Sequence, residues 1–325
     1  MVPAYIISAI VYANLLMLLS IGFTFAYLTA KVPNFAHGAI SGIGIYVCFT
    51  IVRVFNMNPY VAVPIAFLVC GTISASIYRG VIQILKKYGA TLISLSIATV
   101  AIEIAILAFT NIYADYLRSV AGQYARVFLL RNKDISIFGL PGVLIISTIL
   151  TALAVILFHL MLTRTKLGIA MRATVENADL AMIMGVNTEL VSLISWFLTG
   201  GLAGVAGSLL PLWFQSLPST GSALMTSVFS ASVVGGMSSV YGAMIGGYFI
   251  GLVEVLGTIF LMDKVGLWIA PYRPLIPLII MCFILLKAPH GIIGLIERIY
   301  IARFKTPRSI ANLFKLIMRG RRLYA

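Results

Sequence analysis

Residues 143–162 read VLIISTILTALAVILFHLML, twenty positions without an Asp, Glu, Lys or Arg. A helix needs about 20 apolar residues to cross the hydrocarbon core of a bilayer. A transmembrane strand would instead alternate apolar and polar side chains over a shorter stretch. Here Ile, Leu, Val and Ala run on continuously, so the stretch reads as a helix that satisfies its own backbone hydrogen bonds in lipid.

The rest of the chain follows the same pattern. Of its 325 residues, 61% are hydrophobic and 10% charged, against about 25% charged in a soluble domain. Charge, Pro and Gly cut out nine apolar segments, at 4–29, 35–52, 60–78, 91–111, 142–162, 188–212, 222–236, 240–261 and 273–287. The expected fold is all-α: a polytopic membrane helix bundle of eight or nine transmembrane helices. The seventh segment is short enough to be a re-entrant or broken helix. Met1–Ala30 has no positive region ahead of its apolar stretch, so it reads as the first span rather than a cleaved signal peptide.

The net charge of +14 belongs to topology and anionic lipid rather than to nucleic acid. With the C-terminus inside, the inner side carries sixteen of the 23 Lys and Arg residues and the outer side seven. This is the direction of the positive-inside bias, although half of the inner charge comes from the tail alone. Nine segments then put the N-terminus outside, and eight put it inside. Two connections are long: 112–141 on the outer side and 163–187 on the inner. The expected division is a transmembrane domain over 1–289, including the connections 112–141 and 163–187, and a basic cytoplasmic tail over 290–325. In the tail, Ile310, Leu313, Phe314 and Ile317 recur at helical spacing beside Lys315 and Arg319. That suits either a helix lying on an anionic membrane surface or a plain solvated tail.

Chemistry-bearing residues are sparse. Cys48, Cys70 and Cys282 lie in apolar segments without metal spacing, and His37, His159 and His290 stand far apart. No nucleophile–base pattern and no phosphate-binding glycine loop ending in Lys-Ser or Lys-Thr occurs. The reading is a non-enzyme without catalytic, metal or cofactor-binding residues, which does not hydrolyse ATP by itself. Two acids, Glu103 and Glu254, fall inside spans. A charge at mid-bilayer costs about 2.5–3.5 kcal/mol on insertion scales, so each must find a partner or face the bundle interior. They serve either an ion or proton relay, as in a stand-alone secondary transporter or channel, or helix–helix hydrogen bonding.

The inner connection reads TRTKLGIAMRATVENADLAMIMGVN over 163–187. Asn177 or Thr174 can cap a short helix with Asp179 in its first turn, Gly185 suits its C-terminus, and Asn187 or Thr188 can cap the next span. The expectation is one amphipathic helix, stiffly joined to two spans, which either transmits a push from a partner or is an ordinary interfacial helix. Farther on, Gly235, Gly236, Gly242, Gly246, Gly247 and Gly251 include small-xxx-small spacings at 242/246 and 247/251 that let helices approach closely. Gly200, Gly201, Gly204 and Gly207 form a similar face in the sixth segment.

These motifs, together, resemble those of the permease subunits of branched-chain amino acid ABC transporters, the LivH/LivM-like family. Gly168-Ile-Ala-Met-Arg172-Ala173, Glu176-Asn177 and Gly185-Val-Asn187 are similar to its cytoplasmic coupling loop. Asn34-Phe35-Ala36-His37-Gly38 resembles its early signature, and the run from Gly235 to Gly247, followed by Glu254, its late glycine motif. Tyr272-Arg273 and Ala288-Pro289-His290-Gly291 also fit, whereas Ser238 stands where the family usually has Gly.

The resemblance implies an import role in the cell membrane as part of a multi-pass assembly. Its partners would be a second permease subunit, two cytoplasmic ATPase subunits and an extracytoplasmic substrate-binding protein. The substrate would be a branched-chain amino acid, another amino acid or a small amide such as urea. Arg172 and Glu176 would make polar contacts with an ATPase, and Ala170, Ala173 and Ala181 would let the coupling helix seat closely. Asn34, His37, Gly38, Glu103, Gly235, Gly236, Gly242, Gly246 and Glu254 would serve helix packing or the translocation path.

Overall fold

The computed structural model describes residues 3–288 and 291–294. Pro289 and His290 of the last motif and the tail beyond residue 294 lie outside the described residues. Among those described, the nine apolar segments are all helical. In chain order the helices are α1 (Ala4–Ala30), α2 (His37–Arg53), α3 (Ala62–Ile77), α4 (Gln83–Lys87), α5 (Leu92–Ala121), α6 (Gly142–Arg164), α7 (Lys166–Glu176), α8 (Ala178–Ile183), α9 (Thr188–Leu209), α10 (Thr220–Gly235), α11 (Val240–Val265) and α12 (Leu275–Lys287). A single π-helical stretch, Tyr78–Ile82, joins α3 to α4 without a break, so the third span continues to Lys87.

Seven of these helical runs are long and apolar enough to cross a membrane, while α2 and α10 are shorter. The sequence marks only α10 as short. At 1.5 Å per residue, α2 and α10 each cover about 25 Å, less than the roughly 30 Å hydrocarbon core. Both are tolerated because they sit inside the bundle, where protein rather than lipid surrounds the irregular backbone at their ends. Val32, Asn34 and Ala36, in the non-helical run before α2, are buried.

α1 is the central post. Its large side chains Leu15, Leu16, Leu18, Leu19, Ile21, Phe23 and Phe25 are almost wholly buried, so the helix is apolar on every side because every side meets another helix. α6 is fixed to it by the Asn14 amide, which donates to Ser147 Oγ (3.2 Å) and Thr148 Oγ1 (2.9 Å). α9 is fixed by Thr199 Oγ1, which donates to the Gly22 carbonyl at 3.0 Å. α5, α6 and α12 are peripheral. On α5, Ile93, Ile97, Ile104 and Phe109 are exposed, an apolar face suited to hydrocarbon.

Glycines set the interhelical distances. A Cβ on Gly251 of α11 would lie 2.5 Å from Ala13 Cα, and one on Gly247 would lie 2.7 Å from Met17 Cα. A Cβ on Gly44 of α2 would stand 2.6 Å from the Gly204 carbonyl oxygen of α9, and one on Gly38 would stand 2.6 Å from that of Gly221 on α10. Each pair puts backbone against backbone, the close approach that small residues permit in membrane bundles.

Two connections depart from expectation. The connection expected over 112–141 begins ten residues later than 112, because α5 runs to Ala121. Ile112, Tyr113, Tyr116 and Leu117 continue its apolar and aromatic spacing, and Tyr113 and Tyr116 stack at 6.4 Å, as ring-rich helix ends do near a membrane interface. The loop then closes with a two-residue hairpin, β1 (Ser136–Ile137) with β2 (Leu140–Pro141). The connection over 163–187 holds two helices, α7 and α8, rather than one.

The two ends of the bundle are distinct. One gathers Ser8, bonded to Trp213 Nε1 at 2.8 Å, Tyr46 bonded to the Ala125 carbonyl, the Phe128–Ser216 bridge and Arg131 stacked over Trp213. The other gathers the C-terminus of α1, whose Ala30 carbonyl accepts from Lys86 Nζ at 2.8 Å, and Glu189 at the start of α9, which accepts from Gln83 Nε2 at 2.5 Å. The α7–α8 pair belongs to this second end.

Candidate functional site

The α7–α8 pair is built by caps. Thr165 accepts from Gly168 N at 3.0 Å and starts α7, a helix start hidden in the sequence because Thr163–Lys166 reads as the end of the preceding span. Asn177 ends α7 and accepts from Asp179 N (3.1 Å) and Leu180 N (3.0 Å), starting α8 with Asp179 in the first turn. Gly185 follows α8 in the left-handed region (φ 85°), where glycine pays no Cβ penalty. Asn187 accepts from Leu190 N at 2.9 Å and opens α9. Three Asn or Thr side chains therefore replace flexible linkers with N-caps, each worth about 1 kcal/mol.

Burial divides the pair into two faces. Gly168, Met171, Thr174 and Ala181 are buried against the rest of the chain. A Cβ on Gly168 would lie 2.7 Å from Leu162 Cα, so this glycine sets the sharp angle between α6 and α7. Ala181 seats α8 on the chain's own bundle rather than on an outer surface. Ala170 and Ala173 are half-buried, whereas Arg172 and Glu176 are exposed. The exposed face also carries Ile169 (59% exposed), Leu180 (54%), Ile183 (81%) and Met184 (77%). Apolar side chains this exposed, on helices that also carry the exposed Arg172, Glu176 and Asp179, are open to a protein contact.

The second polar locus lies within the bundle near the opposite end. Glu254 of α11 is 2% exposed. Its Oε1 accepts from Tyr12 Oη at 2.8 Å and from Arg273 Nε at 2.7 Å. The Arg273 guanidinium also stacks over the Tyr12 ring at 4.0 Å. A cation thus answers the acid that sequence reading left without a named partner. The signal was available: Arg273 is one of the two basic residues between Glu254 and the last span, and a carboxylate in a span needs a cation. Tyr12 carried no such signal. Glu103 is half-buried on α5 beside the Ser222 hydroxyl of α10, so the two acids have separate surroundings.

The remaining residues singled out from sequence are dispersed. His37 is fully buried at the start of α2, with Nε2 3.0 Å from the Leu19 carbonyl. A carbonyl only accepts, so Nε2 carries the proton. Asn34 is equally buried, and its side-chain amide has no partner among the described residues. Gly38 meets Gly221, as described. Gly235 opposes Gly242, and Gly246 lies against Ala231 and Gly235, closing α10 onto α11. Gly236 (φ 103°) makes the turn between them.

Residues 5–285 match the profile of a family described as the permease component of the branched-chain amino acid transport system. A protein of Methanocaldococcus jannaschii, named "Probable branched-chain amino acid transport permease protein LivH", is 42% identical over 286 residues, 88% of this chain and 90% of that protein. The high-affinity branched-chain amino acid transport system permease protein LivH of Escherichia coli K12 is 30% identical over 292 residues, covering 85% and 90%. The autoinducer 2 import system permease protein LsrC of Salmonella paratyphi B is 27% identical over 277 residues, covering 79% and 70%. No solved structure matches the chain. With a profile spanning most of its length and relatives matched nearly end to end, the chain belongs to the family of branched-chain amino acid transport system permease components.

Proposed function

We propose that this chain is the membrane-spanning permease subunit of an ATP-driven importer for branched-chain or related amino acids. It forms part of the translocation path and docks through α7–α8 on a separate ATPase subunit. The end that carries α7–α8, Lys86 and Lys87 then faces the cytoplasm, as does the tail over 290–325, and residues 1–289 make up the permease domain. A second permease completes the path, a second ATPase completes the motor, and an extracytoplasmic binding protein delivers substrate to the opposite end. The chain itself carries out no catalysis.

The observation that carries this reading is the exposure of Ile169, Leu180, Ile183 and Met184, with Arg172 and Glu176, on α7–α8 and the turn that follows. These helices are joined to α6 and α9 by caps rather than by slack chain. A rigid, capped element passes a displacement into the bundle, which a flexible loop would absorb. Closure of the ATPases would push α7–α8 and tilt the attached spans. A stand-alone ion-driven carrier is less well supported, because Glu254 is already neutralised by Arg273.

The test is Arg172→Glu in the assembled transporter. The variant reaches the membrane, ATP hydrolysis continues, and uptake into vesicles falls. Normal uptake by this variant would sink the docking assignment.

A further inference from the structure

Glu254 and Arg273 each keep one atom in reserve. Glu254 Oε2 and one terminal guanidinium nitrogen of Arg273 are buried and have no hydrogen-bond partner among the described residues. Buried polar atoms are seldom left unpaired, and here a free acceptor and a free donor belong to one ion pair. Arg273 also lines a cavity of about 320 Å³ between α11 and α12, open on the side where Trp268, Tyr272 and Ile279 are exposed, whose other walls include Thr258, Leu261 and Ile276. The accessible wall of this cavity is almost wholly apolar, which suits an aliphatic side chain, and the polar atoms of the ion pair lie behind it.

We propose that the Arg273–Glu254 pair and this cavity form a transient binding site for a free α-amino acid with an aliphatic side chain. The inference rests on the importer reading above and names a place on the path. The ligand's carboxylate takes the donor of Arg273, its ammonium donates to Oε2 of Glu254, and its side chain enters the cavity. Charge balance selects this class. An anion that drew Arg273 away would leave Glu254 buried and unpaired, and a cation that drew Glu254 away would strand Arg273. Either is strongly disfavoured. A zwitterion replaces both partners at once. The two reserve atoms are sealed from solvent in this conformation, so a ligand reaches them by displacing the guanidinium from the Tyr12 ring.

The test uses the complete complex of both permeases and both ATPases, without binding protein, in lipid nanodiscs. Cys282 is exposed and is replaced by Ser, and Ile276→Cys then reports the cavity through its rate of labelling by N-ethylmaleimide. Millimolar L-leucine is expected to slow labelling several-fold, whereas 4-methylpentanoate and 3-methylbutylamine, which each lack one charge, leave it unchanged. Glu254→Gln removes the protection. Ile279→Trp, which fills the cavity and leaves the ion pair intact, weakens protection by leucine more than by alanine. Absence of protection by leucine, or equal protection by the single-charge analogues, overturns the proposal. ATP-driven uptake is measured on the same preparation. Normal uptake without protection removes this site alone, and loss of ATPase association from the unsubstituted complex removes the importer reading.

Discussion

Truncating Ile183 to Ala should weaken ATPase docking while leaving the permease itself intact. Ile183 is 81% exposed, so the truncation costs the isolated fold almost nothing. Docking would bury a side chain that loses three carbons on truncation, at about 0.8 kcal/mol each. Scaled by the exposed fraction, the loss is about 2 kcal/mol, or roughly 30-fold in dissociation constant at 1.4 kcal/mol per tenfold. Met184, 77% exposed, should behave similarly, and a buried neighbour provides the contrast. Ala181→Leu would overpack α8 against its own bundle and lower thermal stability, whereas Ile183→Ala would not. The assay is binding of purified ATPase subunits to the permease complex in nanodiscs, with unfolding temperature measured in parallel. If neither Ile183→Ala nor Met184→Ala changes affinity more than twofold, this face is not the docking surface.

Other substitutions test the framework. Asn177→Ala removes the cap between α7 and α8 and should cost about 1 kcal/mol, seen as faster amide exchange at Asp179 and Leu180 with the spans unaffected. Gly251→Ile drives a side chain into the Ala13 backbone and should destabilise by at least the 1–3 kcal/mol typical of overpacking, read as a lower unfolding temperature or loss of the protein from the membrane. Asn14→Ala removes two hydrogen bonds from α1 to α6. At about 0.6 kcal/mol each, the average for polar contacts within membrane bundles, the loss is near 1 kcal/mol, and Asn14→Asp should be worse because it buries a charge. A shift in unfolding temperature as large for Asn14→Ala as for Gly251→Ile would contradict the ranking.

The fold was legible because its main determinant is one-dimensional. An apolar run long enough to cross hydrocarbon is visible in sequence, and all nine segments are helical. Helix ends were harder. α5 continues through Tyr113 and Tyr116 because aromatic residues and a few charges are tolerated at an interface, and sequence reading took the first polar residues as the end of the helix. The π-helical stretch after α3 has no sequence mark. In the connection between α6 and α9, Asn177, Gly185 and Asn187 were readable because capping is local chemistry, within three residues of its target. Thr165 was missed because a cap and a span terminus carry the same residues. The ion pair was half legible: Glu254 demanded a cation, but which one depends on the turn between α11 and α12. Tyr12, 242 positions away from Glu254, is set by packing alone.

The buried run before α2 has a consequence for how the chain accepts change in length. Residues 31–36 are non-helical, yet Val32, Asn34 and Ala36 are as buried as core. Loops ordinarily accept insertions because they run over the surface. Here the usual map is inverted: an epitope tag placed at Gly122 in the connection after α5 should be accommodated, and the same tag between Pro33 and Asn34 should abolish assembly. Length variation among relatives should follow the same rule, accumulating after α5 and avoiding the six residues that lead into α2.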